Sequence, residues 1–134
     1  MSKFTRLILL AVILVCSGAR AQNYKPVDVV RALPGWQCMA LASSYGPQGT
    51  NAPAAPVYAG PDADAQQIGT AAGVIIVSSP PRPVSGRTEI IRPNGQKAWI
   101  AMNLLTQWHS LSDPKAVCYP ALLSNGRYGF RTVG

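Results

Sequence analysis

Two runs of turn-forming residues, Pro93-Asn94-Gly95 and Ser124-Asn125-Gly126, each lie between stretches that favour extended chain, and they constrain this sequence more than any other feature. Gly readily adopts left-handed backbone and Asn tolerates it, as a tight hairpin requires. Around the first run, Arg87–Arg92 and Gln96–Ala101 read as paired strands; around the second, Ala116–Leu123 and Arg127–Thr132 do. Pro at the first turn position, then Asn, then Gly at a left-handed position fits a type I turn closed by a bulge. A direct two-residue loop would instead set Arg92 opposite Lys97, so the register stays open at this level. Twelve Gly and twelve Pro spread similar punctuation along the chain, which argues against a helical bundle or coiled coil.

The remaining segments follow the same logic. Trp36–Ala42 alternates loosely and reads as a strand, and Val57-Tyr58 begins another. Within Ile68–Ser78, the branched run Val74-Ile75-Ile76-Val77 favours a strand. Ser43–Pro56 and the Pro-rich Ser79–Gly86 read as loops, and Gly60-Pro61-Asp62 as a turn. Met102–Leu105 reads as a helical turn and Thr106–Trp108 as extended chain. Pro26 and the Pro34-Gly35 stop frame a short N-terminal helix, with its three valines weighing against it. Trp99 is expected in the core, because its hairpin must bury something. Short strands with turns every eight to twelve residues indicate an all-β domain, a small barrel or sandwich.

Residues 1–21 have the three parts of a secretory signal. Lys3 and Arg6 supply the positive start, Leu7 to Val15 the apolar stretch, and Ala19-Arg20-Ala21 the small-residue cleavage site, so Gln22 is the expected mature N-terminus. The alternative of a lipid on Cys16 meets Val15 where a small residue normally precedes the lipidated cysteine, and cleavage after Ala21 discards Cys16. The expected location is periplasmic or secreted. Cleavage leaves 113 of the 134 residues, enough for one modest core. Two cysteines remain, Cys38 and Cys118, and an oxidising compartment predicts a disulfide between them across 80 positions. Losing Lys3, Arg6 and Arg20 lowers the formal net charge from +7 to +4. The basic residues are scattered, without the stripe and interleaved aromatics of a nucleic-acid binder, and no apolar run of spanning length follows the signal.

Residues 56–108 carry an ordered set of short patterns. Val57-Tyr58-Ala59-Gly60-Pro61-Asp62 is a strand running into a Gly-Pro turn, Gln67-Ile68-Gly69 is followed by Gly73-Val74-Ile75-Ile76-Val77, Asn94-Gly95-Gln96-Lys97-Ala98-Trp99-Ile100 forms a hairpin, and Asn103-Leu104-Leu105 follows it. In this order they resemble a bacterial Src-homology-3-like (SH3-like) domain, the small extracytoplasmic barrel. Two positions depart from its pattern: no Val-Arg pair precedes Gly60-Pro61, and Ala98 replaces the usual Gly before Trp99. The resemblance implies an SH3-like barrel over 56–108, with 22–55 as an N-terminal extension packed on it and 109–134 as a C-terminal hairpin extension of the same domain. Both flanks, each carrying one cysteine, are expected to add strands. It also implies a shallow ligand groove bordered here by Tyr45, Tyr58 and Arg87.

For chemistry, the only histidine, His109, has Ser110 and Asp113 close by, but triad members converge from separate elements. One His and two oxidised Cys cannot make a four-ligand metal site. The five carboxylates, Asp28, Asp62, Asp64, Glu89 and Asp113, include no pair that the sequence sets across a cleft. No catalytic residue, metal or cofactor is therefore expected. Binding is the more economical reading, with Tyr45, Tyr58, Arg87 and Trp108 as candidate contacts because rigid aromatics and Arg suit binding patches. The expected function is an exported non-enzymatic module of the cell envelope that recognises peptidoglycan or an envelope protein. The alternative is a small disulfide-bonded inhibitor or immunity protein that plugs an enzyme's cleft with Ser43–Pro56 or Ser79–Gly86. A third reading, a hydrolase using Glu89 or His109, requires an activity that alanine at either residue abolishes.

Overall fold

The computed structural model describes residues 25–134; the expected signal over residues 1–21, with Cys16, lies outside them. The described chain holds ten strands: β1 (Val29–Ala32), β2 (Trp36–Leu41), β3 (Ala55–Tyr58), β4 (Gln67–Ala71), β5 (Val74–Ser78), β6 (Arg87–Ile91), β7 (Lys97–Ala101), β8 (Leu105–Gln107), β9 (Val117–Leu123) and β10 (Tyr128–Val133). They form two antiparallel sheets, a large one in the order β4-β3-β7-β6-β5-β2-β8 and a small one in the order β1-β9-β10. The all-β expectation holds. Among the described residues no helix is long and apolar enough to cross a membrane.

The large sheet curls around one core. Met39 and Leu41 of β2, Val57 of β3, Ile75 and Val77 of β5, Ile90 of β6 and Ile100 of β7 form a single buried cluster. Ile68 and Ala71 of β4, at one edge of the sheet, and Leu105 of β8, at the other, pack on that same cluster. Opposite edges can meet one core only if the sheet bends round it. No ladder joins β4 to β8, so the structure is barrel-like and sandwich-like without being a closed barrel. Val57, Val77, Ile90 and Ile100 are at most 1% exposed, and burying each contributes about 1.5–3 kcal/mol.

A second buried layer joins the sheets. Cys38, Ile76 and Ile91 are register partners across β2, β5 and β6 and so share a face. That face meets the small sheet through the Cys38–Cys118 disulfide, whose Cα atoms are 6.0 Å apart. Cys38 through Leu41 are consequently all buried, which explains the loose alternation of this strand in the sequence. It also makes β2 an interior member of the large sheet, hydrogen-bonded between β5 and β8.

Both Asn-Gly hairpins form with the bulged type I geometry. The Arg92 amide bonds the Gln96 carbonyl and the Gly95 amide bonds the Arg92 carbonyl, each at 2.8 Å, so Arg92 faces Gln96 rather than Lys97. Leu123, Gly126 and Arg127 repeat the pattern. Two expectations are corrected. The N-terminal segment is the strand β1, not a helix: Val29, Arg31 and Ala32 pair with Leu123, Leu122 and Ala121. The edge of β9 offers backbone partners there, whereas an eight-residue helix is too short to be stable alone. Trp99 lies outside the core, half-buried on the outer face; the β6–β7 hairpin buries Ala98 and Ile100 instead, one residue to either side. The Ser43–Pro56 region, expected as a loop, holds the 3₁₀ turn Gly49–Asn51 and most of the turn Ala42–Tyr45, and its last two residues, Ala55 and Pro56, already belong to β3.

Candidate functional site

The four candidate contacts separate into two pairs. Tyr58 ends β3 and Arg87 begins β6, both on the outer face of the large sheet. The Arg87 guanidinium carbon sits 3.5 Å from the centroid of the Tyr58 ring. Its Nη1 donates to the Gly60 carbonyl at 3.2 Å and to the Asp62 carbonyl. Arg87 thus clamps the Gly60-Pro61-Asp62 turn down onto Tyr58. Register places Trp99 between Tyr58 and Glu89, and Lys97 Nζ lies 3.8 Å from Glu89 Oε1. This face is an aromatic and charged patch whose cations already have partners: Arg87 has two carbonyls and a ring, Lys97 has a carboxylate.

Tyr45 and Trp108 instead share a cleft of about 410 Å³, walled also by Leu41, Val74, His109 and Leu111. Tyr58 and Arg87 contribute nothing to its lining. The 3₁₀ turn Ala42–Tyr45, which follows directly from β2, carries Tyr45 to the cleft, and the chain leaving β8 supplies Trp108 and His109. β2 and β8 are antiparallel, Leu41 facing Leu105 and Met39 facing Gln107, so the chain leaves them in opposite directions. The turn after Leu41 brings Tyr45 back to the segment that leaves β8, where it meets His109. The Tyr45 and His109 rings stack with centroids 3.8 Å apart and planes 18° from parallel. Tyr45 Oη accepts from the His109 amide and donates to the His109 carbonyl, both at 3.0 Å. One side chain therefore fixes the ring and the backbone of a residue 64 positions away.

The neighbours of His109 serve the loop itself. Ser110 Oγ accepts from the amides of Ser112 and Asp113, at 3.2 and 3.0 Å, and the Asp113 carboxylate accepts from the Lys115 amide at 2.9 Å. These bonds close the segment after Trp108 into a compact turn that leaves Leu111 82% exposed at the cleft rim. Among the described residues no three His, Cys, Asp or Glu side chains converge as metal ligands.

Sequence reasoning missed two members of these groups. Trp99 is expected in the core from its size, although the small and branched residues flanking it, Ala98 and Ile100, signal that it alternates outward. His109 as the partner of Tyr45 had no local signal, because the contact depends on the β2–β8 pairing. Comparison with known proteins finds no matching family model, no matching curated protein and no matching solved structure.

Proposed function

We propose that this chain is an exported, non-enzymatic binding module of the bacterial cell envelope that takes peptidoglycan into the Tyr45–Trp108 cleft. The observation that carries the reading is the cleft itself: an apolar hollow of about 410 Å³ with a braced aromatic pair and a tryptophan on its wall. That volume lies in the range of pockets that enclose small ligands, and apolar linings with few polar groups are their usual character. Flat C–H faces of sugar rings stack on such aromatics, while Ser44, Thr50 and Ser110 at the lining can meet hydroxyls or amides. The tripartite signal, the net positive charge of the chain and the resemblance of residues 56–108 to SH3-like envelope domains support the same compartment and ligand class.

The test is co-sedimentation of the purified protein with purified peptidoglycan, beside a pulldown from envelope extract. Retention that Trp108→Ala weakens at least about tenfold, as for a central aromatic contact, while Tyr58→Ala leaves it nearly unchanged, supports the cleft. The reverse sensitivity moves the site to the outer aromatic face. One stoichiometric protein partner with no retention on peptidoglycan replaces the reading with the inhibitor alternative.

A further inference from the structure

A second hollow, of about 390 Å³, opens where the large sheet splits. β5 pairs with β2 from Val74 to Ser78, but with β6 only at Ile76 and Val77. β6 ends at Ile91 and turns away, so the Val74–Ile75 stretch of β5 has no strand on that side. Ile75, Ile76, Ile91 and Phe130 of β10 line the resulting groove, and no carboxylate does. Two arginines line it as well, Arg92 and Arg127. Arg92 is half-buried and held in place, its Nη1 donating to Gln96 Oε1 at 2.7 Å and to the Ile68 carbonyl at 3.4 Å. Arg127 is exposed, and among the described residues its guanidinium has neither a hydrogen bond nor an ion pair.

We propose that this groove binds a small amphiphilic carboxylate, its chain lying on the isoleucines and Phe130 and its head group paired with Arg127 in the positive field of Arg92. Charge selects the ligand: a hollow of mixed lining, apolar along the isoleucines and Phe130 and carrying two cations and no anion, favours a molecule that is apolar along its length and anionic at one end. A guanidinium is matched to a carboxylate by its parallel N–H pair. The site is separate from the aromatic cleft, with which it shares only Ala72 and Val74 at the β4–β5 turn.

The experiment is an NMR titration of the purified protein with decanoate below its micelle concentration, with decan-1-ol as the uncharged control. The expected result is saturable shifts centred on Ile76, Ile91 and Phe130, and tighter binding of decanoate than of decanol. Arg127→Gln weakens decanoate about two- to fivefold, the loss expected for a solvent-exposed ion pair, Arg127→Lys recovers part of it, and decanol is indifferent to both. Trp108→Ala leaves decanoate binding unchanged, which separates this site from the aromatic cleft. Shifts scattered over the surface, equal binding of decanol, or decanoate binding indifferent to Arg127→Gln would overturn the proposal. Position 127 is exposed in a hairpin turn, so its variants report binding rather than folding; Phe130→Ala, at a partly exposed strand position, gives a second reading by loosening both ligands.

Discussion

The two Asn-Gly hairpins are nearly the same object locally. In each, Gly takes left-handed backbone, with φ of +86° at Gly95 and +79° at Gly126. The preceding Asn also accepts from the amide two residues on, Asn94 Oδ1 from Gln96 at 2.9 Å and Asn125 Oδ1 from Arg127 at 3.0 Å. Their surroundings differ. A Cβ at Gly126 would meet nothing within 4 Å, whereas one at Gly95 would lie 2.9 Å from Tyr128 Cε2. The Tyr128 amide also bonds the Pro93 carbonyl at 2.9 Å, so β10 of the small sheet is seated on the turn of the large one. A turn code sets backbone shape, while neighbouring strands decide whether the turn is also an interface.

The largest test removes the staple between the sheets. Opening Cys38–Cys118, by reduction or by a double Cys→Ala variant, should cost about 4–5 kcal/mol on chain-entropy grounds. Amides of β9 and β10 should then exchange before those of β6 and β7. Equal protection in both hairpins would show that Tyr128 on Gly95 and the buried Ile76–Ile91 layer hold the small sheet unaided. A mid-sized test compares the glycines by denaturant unfolding. Gly126→Ala should cost about 1–2 kcal/mol, the left-handed penalty alone, and Gly95→Ala more, because Tyr128 must also move. Equal losses would mean that Tyr128 yields freely. The smallest test sharpens the likeness: Asn94→Ala and Asn125→Ala should each cost about 1 kcal/mol, the worth of one hydrogen bond, and differ little from each other.

Much of the strand plan was legible because its signals are local. Branched runs and Gly- or Pro-centred turns placed β2, β5, β6, β7, β9 and β10 within a residue or two. The failures fall where a distant partner intervenes. Val29–Ala32 is extended because β9 lies beside it, and a Pro-framed segment read alone resembles a helix start. Trp99 was read by size, but the pleat decides facing, and the core is filled by its neighbours Ala98 and Ile100. At the site, residue types singled out Tyr45 and Trp108, yet only the β2–β8 pairing sets them on one wall with His109. Arg87 is a candidate contact because the resemblance sets it at a groove border and guanidinium suits binding, and the fold gives that guanidinium two carbonyls and the Tyr58 ring.

The sequence alone determined the all-β class and the places of both hairpins, because turn chemistry and β-propensity act over a few residues. The register of each hairpin was closed by the backbone bonds of the fold, and the Cys38–Cys118 pair was legible only with Cys16 set aside by the expected signal. Tertiary structure decided that the large sheet curls without closing, that β2 is buried on both faces, that the aromatics divide between a clamp and a cleft, and that a split in the sheet carries two arginines. Those outcomes depend on which strands become neighbours. Side chains far apart in the chain meet only after that choice, so no local pattern encodes it.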